Sequence, residues 1–238
     1  MKPMILAALS SLAVVASADI VLPEAITLTP DAPEPFSSQY GGIEASLYGV
    51  QAVDVSGQGL PFGTALRLTG QNSSRIQLGQ PEALELSGEM SLSAWICPTA
   101  LDGIRNIVSR DFRFSPNREI YLRLSSGDIE FGIWGNADCT ASAPYTVPTN
   151  TWAFVLGTFT GSSFDLYVNG SLVASEPSTV GPVTFDSNWT IGRHSQNGQR
   201  PFLGMMGDVT FHGGAIDADM AELLYVAGTN GIHAAGVK

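Results

Sequence analysis

The sequence predicts an all-β fold, two antiparallel sheets packed as a sandwich and closed by one short C-terminal helix. Three observations carry this expectation. Many short segments alternate apolar and polar residues with a period of two. Tight-turn signals, Ser125-Ser126-Gly127-Asp128 and Asn169-Gly170, join successive segments as hairpins. Helical periodicity is confined to residues 217–228, and many strands followed by one late helix do not make an alternating α/β enzyme fold.

The elements follow in order. Lys2 opens the chain, Met4 to Val15 is mostly apolar but too short to span a bilayer, and Ala16-Ser17-Ala18 offers the small-x-small pattern of a signal-peptidase site. Residues 1–18 are therefore expected to be a signal peptide cleaved after Ala18, the alternative being an uncleaved anchor. The rest is then secreted or extracytoplasmic, and no later stretch is apolar enough for a membrane span. Residues 19–39 form a leader with Pro23, Pro30, Pro33 and Pro35, lying extended or adding an edge strand near Ile26 to Leu28. Residues 40–228 hold the folded domain, and 229–238 a small, polar tail. Within the domain, residues 40–63 give weak strand signals. Strands are expected at Met90 to Cys97, Glu119 to Ser125, Asp128 to Trp134, Trp152 to Phe159, Phe164 to Val168, Ser171 to Ser175, Trp189 to Gly192 and Met206 to His212. Trp152 to Phe159 is apolar on both faces, as a central strand would be. Asp217 suits the N-cap of the closing helix, Met220, Leu223 and Leu224 form its apolar stripe, and Gly228 can end it.

Charge and cysteines narrow the function classes. Only 14% of residues are charged, the net charge is −11, and there is no Lys/Arg cluster. Nucleic-acid binding is excluded on that ground, and the same lack of basic residues disfavours attachment to an anionic membrane surface. Two thiols in an oxidising compartment are expected to pair, Cys97 with Cys139, a bridge that stabilises by roughly 4 kcal/mol in the chain-entropy model; the alternative is two buried free thiols.

A family resemblance emerges from motifs in a fixed order: Phe62-Gly-Thr-Ala-Leu-Arg-Leu-Thr-Gly70 with Arg75-Ile-Gln-Leu78, then Met90-Ser-Leu-Ser-Ala-Trp-Ile-Cys-Pro98, Phe164-Asp-Leu-Tyr-Val-Asn-Gly170, Thr190-Ile-Gly-Arg193, and Phe202-Leu-Gly204 through Ile216. Together they resemble the laminin-G-like jelly-roll domains of the concanavalin A-like lectin/glucanase superfamily, over roughly residues 60–228. The resemblance implies a jelly-roll sandwich and a binding or adhesion role on an exported protein. It also implies a calcium ion at the rim in many members, held by two aspartates. Here those two positions read Thr69 and Gly207, leaving Asp208 as the one carboxylate, with Asn72 and Ser73 as further oxygens. Calcium needs about six to eight oxygens, so the candidate set Thr69, Asn72 and Asp208 is a poor one, and no other cofactor is implied.

For chemistry, glycoside hydrolysis needs two carboxylates about 5 to 9 Å apart. Asp128 and Glu130 have i, i+2 spacing but sit beside a hairpin turn, and Glu82 and Glu85 fall in a loop. His194, His212 and His233 are scattered, and no Gly-x-Ser-x-Gly elbow exists. No catalytic residue is therefore expected. A binding face is better supported. Opposite the aliphatic positions, separate strands carry Trp95, Tyr121, Trp134 and Tyr167, with Arg123, Asn136 and Asp138 close by in sequence. Such rings can stack on sugar faces, or can pack under loops or a Cys97–Cys139 bridge. Arg193, His194 and Arg200 add a local basic loop that is either solvated or meets a carboxylated sugar. The expected function is an exported, non-catalytic binding module for a glycan or a cell-surface ligand. A structural domain that binds another protein is the alternative, and a glycan-active enzyme ranks last.

Overall fold

The computed structural model describes residues 22–31, 43–110, 118–135, 138–183, 187–195 and 198–234. The expected signal peptide, Asn136 and much of the leader lie outside the described residues. The strands are β1 (Ala25–Leu28), β2 (Ser46–Tyr48), β3 (Val50–Asp54), β4 (Thr64–Thr69), β5 (Arg75–Gly79), β6 (Met90–Pro98), β7 (Ile104–Arg110), β8 (Arg118–Ser125), β9 (Asp128–Gly135), β10 (Cys139–Pro144), β11 (Ala153–Phe159), β12 (Ser163–Val168), β13 (Ser171–Pro177), β14 (Trp189–Ile191) and β15 (Leu203–His212). Among the described residues, one α-helix, α1 (Ala218–Thr229), follows β15, and a short 3-10 turn spans Glu82–Leu84.

Two antiparallel sheets face each other, the jelly-roll sandwich that the sequence predicts. The first runs β13-β12-β11-β6-β15-β4-β3, and the second β10-β9-β8-β7-β14-β5-β2. β1 also pairs with β15, so part of the leader belongs to the first sheet. It shares an edge with β4: β4 pairs with Leu203 to Met206 and β1 with Val209 to His212, on either side of a register shift in β15. The two-residue hairpins fall where expected, with Ser126 and Gly127 at φ 52° and 99°, and Asn169 and Gly170 at φ 50° and 80°.

The core fills the space between the sheets. Leu92, Ala94 and Ile96 of β6 meet Leu122 and Leu124 of β8 and Phe131 and Ile133 of β9 within one buried cluster. A second cluster covers the outer face of the first sheet, where Trp95, Phe154, Leu156 and Tyr167 pack under Ala221 and Leu224 of α1. This is why β11 is apolar on both faces: one lies in the sandwich and the other under the helix.

Asp217 caps α1, its side chain accepting from Met220 N at 2.9 Å. Gly228, expected to end the helix, lies inside it. A Cβ at Gly228 would sit 2.7 Å from Trp95 Cζ2, so its role is to let the helix approach the indole.

The expected disulfide is not formed: Cys97 and Cys139 are both free thiols. The register explains it. The Cys139 thiol lies 3.8 Å from Pro177 O on β13, and Pro177 pairs with Ser163, next to the Phe164–Phe159–Met90 row. β13 is three strands from β6, and Cys97 is at the far end of β6 from Met90. Three strand spacings alone are roughly 14 Å, twice the ~7 Å at which a bridge becomes impossible.

Candidate functional site

The outer face of the second sheet is polar where that of the first is covered by a helix. On β8, Ile120, Leu122 and Leu124 point into the core, so alternation puts Glu119, Tyr121 and Arg123 on the outside. On β9, Ile129, Phe131 and Ile133 point inward and Glu130 and Trp134 outward. Cross-strand register places Glu119 opposite Trp134, Tyr121 opposite Gly132, and Arg123 opposite Glu130.

These side chains form a connected layer. Arg123 Nε donates to Glu130 Oε2 at 2.6 Å, and its guanidinium carbon lies 3.7 Å from the centre of the Tyr121 ring. Tyr121 reaches across Gly132 to Thr140 on β10, with 2.6 Å between the two hydroxyl oxygens. Covered in this way, Tyr121 is 1% exposed, and burial pushes its phenol pKa upward. Trp134, near the end of the same strand pair, is 52% exposed.

A loop completes the surface. After β14 the chain crosses the outer face of β7 and returns, with Gly192 N donating to Ile107 O, Asn106 N to Arg200 O, and Ser109 Oγ to Arg193 O. It brings Arg200 and His194 to Glu119. Arg200 Nη1 donates to Glu119 Oε1 at 2.9 Å, and His194 Nε2 lies 3.8 Å from Oε2. Glu119, 3% exposed, is thus a buried carboxylate held in an ion-pair cluster beside an exposed indole.

The candidate residues therefore divide. Tyr121, Arg123 and Trp134 share this face, and Asp138 lies at its edge, accepting from Gly135 N at 2.6 Å. Trp95 and Tyr167 belong to the other sheet and are buried beneath α1, with Trp95 stacked on Tyr225 at 6.0 Å between ring centres. Alternation identified the outward face of each strand but not which sheet the strand joins. Sequence reasoning grouped His194 and Arg200 with Arg193 as a basic loop but did not join Glu119 to them, because they converge only when the loop folds over β7.

The calcium set is likewise separated. Thr69 pairs with Leu203 at one end of β15, while Asp208 is five residues further along, roughly 17 Å away. Asp208 is buried and bonded to His233 Nδ1, while Asn72 O accepts from Arg193, a cation where calcium would need room. Among the described residues, no group of three His, Cys, Asp or Glu side chains could hold a metal ion. Glu119 and Glu130 on the polar face are also far apart: Glu130 lies opposite Arg123, four residues along β8 from Glu119. That is roughly 13 Å, outside the ~5 to 9.5 Å range of paired carboxylates in glycoside hydrolysis.

A groove of about 360 Å³ lies elsewhere, lined by Arg67, Thr69, Thr99, Asn150, Leu203 and Met205, with no aromatic ring. No helix of the described residues is long and apolar enough to cross a membrane.

The sequence matches the profile of the concanavalin A-like lectin/glucanases superfamily over residues 69–220, and the chain belongs to that superfamily. No curated protein matches it in sequence. Its fold is similar to that of domain 4 of AbnA, a GH43 extracellular arabinanase from Geobacillus stearothermophilus whose structure holds arabinotriose. The TM-score is 0.71 at 18% identity, covering 86% of this chain and 100% of that one. It is also similar to the sialidase CBM40 of Ruminococcus gnavus bound to α2,3-sialyllactose, with a TM-score of 0.57 at 14% identity over 68% of this chain and 96% of that one. The botulinum neurotoxin serotype G binding domain aligns with a TM-score of 0.66 at 14% identity. There the match covers 87% of this chain but 51% of the toxin domain, so the chain spans about half of it.

Proposed function

We propose that this protein is an exported, non-catalytic carbohydrate-binding domain whose ligand lies on the outer face of the second sheet. The observation that carries the proposal is the exposed Trp134 indole set against a layer of polar groups already fixed by one another: Glu119 with Arg200 and His194, and Arg123 with Glu130 and Tyr121. A sugar ring can stack on the indole while its hydroxyls meet the nearby Arg200, and a further unit of a longer glycan can reach the Arg123–Glu130 pair; groups held in this way lose little rotamer freedom on binding. Support comes from the family, and from the glycan ligands of two structures of similar fold, domain 4 of the arabinanase and the sialidase CBM40. The separation of Glu119 from Glu130 supports the non-catalytic reading. Export rests on Lys2, the apolar run from Met4 to Val15, and Ala16-Ser17-Ala18.

The experiment is a glycan-array screen of the protein lacking residues 1–18, repeated with Trp134→Ala. Saturable binding to a defined sugar, weakened roughly tenfold or more in the variant with its melting temperature unchanged, is the expected result. Equal binding by the variant removes Trp134 from the site.

A second reading, docking to a protein of the cell surface, is favoured by Leu172 and Val173, apolar and exposed on the edge strand β13. It predicts concentration-dependent association that Leu172→Lys abolishes, seen by sedimentation.

A further inference from the structure

Arg75 opens β5, and Arg193 follows β14. Ile191 of β14 pairs with Ile76 of β5, so the two arginines leave adjacent strands at nearly the same level. Their guanidiniums rest on consecutive backbone carbonyls of one turn: Arg193 Nη1 donates to Asn72 O at 2.5 Å, and Arg75 Nη1 donates to Ser73 O at 3.3 Å. Gly198 makes room for this, since a Cβ there would lie 2.7 Å from Arg193 Nη1. The ring of Tyr48 on β2 lies against Arg75, 3.8 Å from the guanidinium carbon to the ring centre, and stays 42% exposed.

Among the described residues, neither arginine is ion-paired with a carboxylate, although the chain has 22 acidic residues against 11 basic ones. Each Nε is buried without a hydrogen-bond partner. Burial, and then the positive charge of Arg75, hold the Arg193 pKa below its ordinary value. Two like charges kept side by side and partly desolvated are unfavourable, and a single nearby acid would relieve them. An incoming oxyanion would do the same. Guanidinium forks match the geometry of carboxylate and sulfate, and an exposed phenol ring beside them offers a face for a pyranose. The overall negative charge is no obstacle, because at physiological salt its repulsion is screened beyond about 8 Å.

We propose that Arg75, Arg193 and Tyr48 form a second binding site, which takes the oxyanion of an acidic saccharide, either a sugar carboxylate or a sulfate ester. β5 is four strand positions from β9, roughly 19 Å, so this site lies apart from the Trp134 indole, although Arg193 comes from the same loop that brings His194 and Arg200 to Glu119. The proposal rests on the reading that the domain binds glycans and adds that part of the ligand is acidic.

The test is calorimetric titration of the full domain with oligogalacturonate, sulfated dextran and unmodified dextran at low and high salt. It is repeated for Arg75→Gln, Arg193→Gln and Trp134→Ala. Expected is binding of at least one anionic polymer, weakened by salt and lowered roughly tenfold in each arginine variant, with dextran far weaker. Oligogalacturonate alone would assign the carboxylate, sulfated dextran alone the sulfate ester, and either supports the site. Arg193→Lys keeps the charge without the fork and should retain part of the affinity, which separates recognition from a folding defect in the Gln variants. No binding of either anionic polymer, or unchanged binding in both arginine variants, overturns the site. The Trp134 surface is judged separately, by the loss of array-identified glycans in Trp134→Ala.

Discussion

At the scale of single residues, outward position on a strand and accessibility to a ligand are different properties. Trp95, Tyr121, Trp134 and Tyr167 all point away from the sandwich core, yet only Trp134 is exposed. Trp95 and Tyr167 lie under α1, and Tyr121 lies under Arg123. Two histidines contribute to the response to pH with opposite signs. His212 is fully buried, with Nε2 3.2 Å from Ser93 Oγ and Nδ1 without a partner, and burial lowers its pKa to about 4. The folded state therefore holds fewer protons on this ring than the unfolded chain. Its stabilising contribution is complete above the unfolded value near 6.5 and is lost as pH falls towards 4, a change of about 3 kcal/mol. His233 has the opposite sign. Its bond to Asp208 raises its pKa, so that contribution is present at low pH and fades as pH rises through the raised value. Replacing His212 with Gln is expected to flatten the acid limb of a melting-temperature profile between pH 7 and pH 4.5. An unchanged acid limb would mean that His212 does not control it. Period-two patterning made the outward position of each ring legible in the sequence. Its cover was not, because Arg123 over Tyr121 and Tyr225 over Trp95 depend on neighbours in space.

At the scale of elements, α1 decides which sheet can offer a binding face. Its apolar side closes the first sheet, which leaves the outer face of the second to ligands. Gly228 is where this packing is tightest. In an ordinary helix interior Gly→Ala gains up to about 1 kcal/mol. Here the added Cβ would lie 2.7 Å from the Trp95 indole. Gly228→Ala should therefore destabilise, by roughly 1 to 3 kcal/mol, measured by denaturant unfolding. A stabilised variant would mean that the helix is not pressed against Trp95. The helix and its Asp217 cap were legible from the sequence, as were the hairpins at Ser126-Gly127 and Asn169-Gly170. β7 was not: Arg105, Asn106, Ser109 and Arg110 interrupt its apolar pattern, and their partners come from elsewhere in the chain, Pro201 O for Arg105 and Arg193 O for Ser109 in the loop after β14, and Ser187 O before β14 for Arg110. The meeting of Glu119 with His194 and Arg200 was hidden because the loop after β14 reaches Glu119 only in the folded chain.

At the scale of the whole molecule, strand order separates what linear proximity suggests and joins what it does not. It places Cys97 and Cys139 in different sheets and at opposite ends, splits the four rings between two faces, and brings residues 119, 194 and 200 together. The all-β architecture was legible because it follows from local alternation and turns. The partition of strands between sheets is set by long-range pairing, which one sequence does not display. The central claim, that a glycan lies on the outer face of the second sheet, is tested most directly by the indole N–H signals of the four tryptophans during a titration with a glycan retained on the array. Trp189 Nε1 donates to Leu84 O and Trp152 Nε1 to Gln58 Oε1, and Trp95 is buried under α1. The Trp134 signal is expected to shift saturably while the other three stay in place. A bound glycan that leaves Trp134 unmoved would contradict the claim.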